Sequence, residues 1–232
     1  MKGQIFRKLA AFVAISALST VAMGAPIVAD LEDQTNGGGF FATVTIADNG
    51  SNTVKITADI AAPINAGLTK GDILALWFDF ANFGALSGTA AVTNPSTTIL
   101  GTIAFGNNAV GASPAGFGAN ANLNGVGGSN WDFAVELGDN GNSLGFIQTV
   151  SFDLTITGLD QSQFLNQRVG MRVQSIEGDD DFTYAEGSSK LTGTGTGDDD
   201  PDPDPNPVPV PGTVLLLGLG LLGLRFARRT AV

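Results

Sequence analysis

Three short stretches hold residue types whose spacing could support chemistry. GNSLG, Gly141 to Gly145, has the GxSxG form that presents a nucleophilic serine, here Ser143, at a strand-to-helix turn. Such a serine needs a histidine to take its proton, and the chain contains none. The surrounding DNGNSLG is composed as a turn between strands, so no hydrolase role is expected for Ser143. GLGLLG, Gly218 to Gly223, matches the dinucleotide fingerprint GxGxxG in form only. That fingerprint works within a strand-turn-helix unit with an acidic residue about 20 positions further on, and neither is available here. EGDDD sets Glu177, Asp179, Asp180 and Asp181 together after an apolar strand pattern, and Asp48 and Asp139 head turns rich in Asn and Gly. Carboxylate and carbonyl oxygens on flexible loops are what calcium takes as ligands, and calcium is the one cofactor this sequence suggests.

Two further groups of side chains have a chemical reading. Asp79, Asp132, Glu136 and Asp153 stand opposite the apolar stripes of their strands, and paired carboxylates run glycoside hydrolysis without a histidine. Outward acids also keep an exposed sheet face in water, and the expectation is that the protein is not an enzyme. Trp77, Trp131 and Tyr184 could stack on sugar rings. Trp131 keeps parity with Phe133 and Val135 and reads as core, whereas Trp77 lies on the less apolar face of its strand and is the candidate glycan platform.

Composition narrows the remaining choices. The absence of cysteine excludes disulfides and thiolate metal sites, and the absence of histidine removes the usual neutral-pH proton shuttle. Six of the 11 basic residues sit at the two ends: Lys2, Arg7 and Lys8, then Arg225, Arg228 and Arg229. The stretch between them has five basic residues against 22 acidic ones, a surface that repels phosphate backbones, so no nucleic-acid partner is expected.

The elements that must position these side chains are strands. Phe40, Ala42, Val44 and Ile46 fall at period two, and after the turn cluster at 48–52 Val54, Ile56, Ala58 and Ile60 continue it, which predicts a hairpin. Leu74 to Phe80, Trp131 to Leu137, Val150 to Ile156 and Val169 to Val173 alternate likewise, with weaker candidates at 98–105 and 188–194. No amphipathic helix pattern of useful length appears. The fold class that follows is all-β, an antiparallel β-sandwich, jelly-roll-like or Ig-like, over residues 38–194, with a closed barrel as the alternative. The Gly- and Asn-rich stretch 106–130 reads as a loop lying across one end and not as core.

The ends read as addresses. Residues 1–24 place three basic residues before an apolar run and finish in small residues, the layout of a secretory signal peptide cut before Ala25, with 25–37 as an N-terminal segment. A short helix is expected in each terminal apolar run. Residues 195–207 alternate Asp and Pro, which predicts an extended, semi-rigid spacer. Asp200, Asp202 and Asp204 in it lack the flexible Gly turn and closing Glu of a calcium loop.

The last stretch, VPVPGTVLLLGLGLLGLRFARR, joins a Pro box at Val208, Pro209, Val210 and Pro211 to an uncharged run and then Arg225, Arg228 and Arg229. The run is close to the shortest length that spans a bilayer, about 17 residues, and its arginines favour the cytoplasmic side. Box, run and Arg cluster together resemble the PEP-CTERM sorting signal. The usual box has Glu at the third position, where this chain has Val210. The resemblance implies recognition by an exosortase, cleavage near the box, and delivery to the cell surface or extracellular matrix of a Gram-negative bacterium. The partners expected are signal peptidase, exosortase, the membrane through the C-terminal helix, and exopolysaccharide. The function expected is structural or adhesive, the alternatives being a calcium-dependent carbohydrate-binding module and an acid-pair glycosidase.

Overall fold

The computed structural model describes residues 24–36, 39–61, 64–97, 101–138, 145–184 and 186–197. The expected signal peptide up to residue 23, the spacer from residue 198 on and the sorting signal lie outside these residues, as does Ser143; of residues 195–197, expected in the spacer, Thr196 and Gly197 instead pair with Val28 and Ile27.

Among the described residues eleven strands follow one another: β1 (Ile27–Asp33), β2 (Phe40–Asp48), β3 (Thr53–Asp59), β4 (Leu68–Phe78), β5 (Ser87–Thr93), β6 (Ile103–Val110), β7 (Trp131–Glu136), β8 (Thr149–Thr157), β9 (Arg168–Gly178), β10 (Gly187–Thr194) and the two-residue β11 (Thr196–Gly197). Among the described residues only two short 3-10 turns, Phe83–Ala85 and Gln161–Phe164, interrupt them. All the pairings are antiparallel, and one sheet runs in the order β5-β8-β3-β2-β1-β10-β9-β4-β7-β6, with β11 beside β1. The sheet folds over a single core to which nearly every strand contributes, and its edge strands β5 and β6 come close to one another. The expected antiparallel all-β sandwich is therefore what the chain forms, nearly closed into a barrel. The chain crosses between the two halves repeatedly, because β3, β5 and β8 belong to one half and β4, β7 and β9 to the other.

The alternation read from sequence puts Val44, Ile46, Val54, Ile56, Val150, Phe152, Leu154, Val169, Met171 and Val173 in this core. Three places depart from it. β1 was expected to precede the domain, yet it joins the two halves, pairing with β2 on one side and β10 and β11 on the other. Opposite β1, the register jumps from Ala42 to Phe40. This bulge gives Phe41 the core place that simple alternation assigns to Phe40, which is 38% exposed.

The third departure is the stretch 106–130. It was expected to be too polar for core, but Val110, Ala121 and Leu123 are buried against Leu74, Ala75, Trp77, Trp131 and Ala134 in a second apolar cluster on the other face of β4 and β7. Phe117 packs on Trp77 with ring centroids 6.0 Å apart. The segment supplies a few apolar anchors and leaves its Gly and Asn residues to turn the backbone. Both faces of β4 are thereby covered, which explains why Gly71 to Phe78 are buried without interruption.

The junction between the halves tolerates no extra atom at Gly193, where a Cβ would stand 2.2 Å from the carbonyl oxygen of Asp30 on β1. Gly193→Ala is expected to destabilise the domain by about 1–3 kcal/mol through displacement of β1. Leu123→Ala is expected to cost about 2–5 kcal/mol although it lies in a loop. Chemical or thermal unfolding of the two variants checks both figures.

Candidate functional site

Register brings together side chains that sequence reading could only enumerate. Phe78 on β4 pairs with Phe133 on β7 and with Val169 on β9. One step further along, where β4 ends, Asp79 therefore lies between Asp132 and Arg168. Arg168 Nε donates to Asp79 Oδ2, and the Asp79 main-chain N–H donates to the Arg168 carbonyl over 3.1 Å. The same guanidinium donates to the carbonyls of Gly127 and Asn130 and lies over the Trp131 ring, 4.4 Å from its centroid. One side chain thus clamps the 106–130 segment to the end of the sheet.

Asp132 is buried and satisfied by main chain. Its Oδ2 accepts from the Phe80 N–H at 2.9 Å and its Oδ1 from the Asn108 N–H at 2.7 Å. Asn108 sits at φ +48° in the bulge of β6 that faces β7 between Phe105 and Val110. The Asp132 carboxylate therefore holds both the exit from β4 and this bulge. A depression of about 300 Å³ opens beside it, lined almost entirely by polar groups that include Asp79, Asn82, Asn108, Asp132 and Gln167, with the half-buried Phe83 on its wall. Burial pushes the Asp79 carboxyl above the ordinary aspartate range; Arg168 opposes that rise, and the charge of Asp132 adds to it. Asp79 Oδ1 is buried and has no hydrogen-bond partner.

The other two strand acids hold loops. Glu136 Oε1 accepts from the Gly118 N–H at 2.6 Å, and the Asp153 oxygens accept from the side-chain amides of Asn49 and Asn94 at 2.8 and 2.7 Å. They lie in opposite halves of the sheet, so the structure joins one pair of the four acids, Asp79 with Asp132. Sequence reading missed Arg168 and Asn108 as partners of that pair. Their only signal is register, which no local pattern carries.

The Trp77 expectation is overturned. Its side chain is 0% exposed and its Nε1 donates to the Gly111 carbonyl at 3.3 Å, because the 106–130 segment covers the face that strand parity alone leaves open. It offers no platform to a sugar. Trp131 is buried as expected, but in the second cluster. Tyr184 packs edge-on against Phe41 and donates to the Phe40 carbonyl.

Of the acids considered for calcium, Glu177 on β9 pairs with Lys70 of β4. Asp179 Oδ1 accepts from the Asp181 N–H at 3.0 Å, closing a local turn. Among the described residues no group of three or more acidic side chains comes together in a way that could hold a metal ion. No helix among them is long and apolar enough to cross a membrane, and residues 208–224 lie outside them.

Residues 207–229 match the family model of the PEP-CTERM protein-sorting motif. The match takes in Val208, Pro209, Val210, Pro211, Arg225, Arg228 and Arg229. It marks the chain as an exported protein sorted and processed by exosortase. Comparison with curated proteins and with solved structures finds no match.

The raised Asp79 carboxyl makes a pH prediction with a definite sign. The folded chain holds this proton more tightly than the unfolded chain does, so the contribution of Asp79 to stability falls as pH rises from about 3.9 through its raised value. Asp79→Asn does not titrate. Its melting temperature relative to the wild type is expected to climb across that window, and parallel curves for the two proteins would show that burial does not dominate at this carboxyl.

Proposed function

We propose that the protein is a non-catalytic structural or adhesive component of the surface or extracellular matrix of a Gram-negative bacterium. Its β-sandwich is the working part, and its last residues are an address. The observation that carries this reading is the sorting motif at 207–229, which follows in sequence a folded domain whose last described strand ends at Gly197.

The apolar run after the box holds the exported chain in the membrane while exosortase cuts near Val208 to Pro211. Matrix exopolysaccharide is the partner that such a location supplies.

A structural role fits the use made of the strand acids. Asp132, Glu136 and Asp153 accept hydrogen bonds from loop main chain and amides, which is work for groups that hold a scaffold. In a chain without disulfides, charge-assisted bonds of this kind stand in for covalent staples, each contributing roughly 1.5–3 kcal/mol.

Fractionation of the native host with mass spectrometry of the mature C-terminus tests the proposal. The surface fraction is expected to lack Arg228 and Arg229, and replacement of Pro209 and Pro211 by Ala is expected to leave an uncut form in the membrane. Surface-located protein that retains both arginines would overturn it.

A further inference from the structure

The depression beside Asp79 and Asp132 is not accounted for by sorting or by scaffolding. Its wall combines acceptors and donors at the end of the sheet, where three strands stop in register. Asn82 precedes the 3-10 turn Phe83–Ala85 without using its side chain as a cap. Its exposed amide is therefore available to a ligand as both donor and acceptor. Asn108 is held at positive φ by its main-chain bond to Asp132, with its side chain exposed beside that of Asn107. Gln167, next to Arg168, also lines the depression, and its side-chain amide donates to the Leu165 carbonyl at 3.2 Å.

Charge and size select the ligand class. Two carboxylates against one guanidinium, which is already bonded to Asp79 and to two carbonyls, leave the depression negative, and this disfavours phosphate, sulfate and uronate groups. A metal ion is the weaker occupant. Both Asp132 oxygens already hold main-chain N–H groups, and Arg168 already offsets the charge of Asp79.

A neutral polyhydroxylated ring suits the site better. Each hydroxyl both donates and accepts, as the amides do, and neighbouring hydroxyls can donate to one carboxylate. A volume of about 300 Å³ is at the small end of ligand sites, the size for one sugar residue and not a chain.

We propose that the depression lined by Asp79, Asn82, Asn108, Asp132 and Gln167 binds a single neutral sugar residue, as a subsite for one unit or one end of a polysaccharide. This deepens the adhesive reading and rests on it only for the source of the sugar.

Saturation-transfer NMR on the purified full-length chain tests the site with glucose, galactose, mannose, N-acetylglucosamine and glucuronate as separate probes. At least one neutral sugar is expected to give a saturable signal, with affinity reduced about tenfold or more in Asn82→Ala and in Asp79→Asn, and with glucuronate binding several-fold more weakly than glucose. Asn82 is exposed and makes no cap bond, so its variant decides the matter if Asp79→Asn fails to fold. Three results would each overturn the proposal: no saturable signal from any neutral sugar, equal binding by wild type and Asn82→Ala, or calcium chloride displacing the sugar from the wild type. Sorting plays no part in this measurement, so a negative result leaves the exosortase reading standing, and a failure of C-terminal cleavage leaves the sugar site standing.

Discussion

The pairing of β1 with both β2 and β10 is the constraint on which the rest of the molecule depends. Without it the strands fall into two separate half-sheets, each with an apolar face open to water. With it one sheet folds over one core. The strand involved begins at Ile27, close behind the expected signal-peptide cut, and its partners β10 and β11 are the last strands of the domain. The junction therefore joins the two ends of the domain, a contact of long sequence separation of the kind that slows folding. Gln161 reinforces the same corner, its amide donating to the Ala25 carbonyl at 2.6 Å and accepting from the Asp48 N–H at 3.0 Å.

From this junction the second half of the sheet gains its unusual feature, a covered outer face. β4 and β7 are apolar on both sides, so a single sandwich core would leave Trp77 and Leu74 in water. The 106–130 segment removes them from it with three buried anchors and Phe117, and Arg168 ties the segment to the sheet end through two carbonyls and the face of Trp131. The tie also engages Asp79, which makes the stability of the covering layer and the electrostatics of the polar depression one problem. Removing charge at Asp79 alters the partner of the residue that holds the layer down.

The division of labour in the chain follows. Address and spacer occupy the termini and are written in composition: apolar runs, Arg clusters and alternating Asp and Pro. The domain between them is acidic, lacks cysteine and histidine, and holds Asp132 and Glu136 with main-chain donors and Asp153 with side-chain amides. Asp79 is the strand acid whose second oxygen is left without a partner, and it borders the polar depression. That contrast separates it from the scaffold acids.

Sequence alone determined the fold class and that the chain is exported and sorted. Period-two alternation specifies strands because successive side chains point to opposite faces, and the sorting motif is a linear signal read by an enzyme in the membrane; neither needs a third dimension. It also placed Val44, Ile56, Phe152 and Met171 in the core. Only the tertiary structure decided that Trp77 is covered, that β1 belongs to the sheet, that Phe41 and not Phe40 is inside, and that Asp79 meets Asp132 and Arg168. Each of these depends on strand order, on a bulge, or on a covering loop. Those are properties of pairs of segments far apart in the chain, and a local pattern carries no information about the segment that will lie beside it.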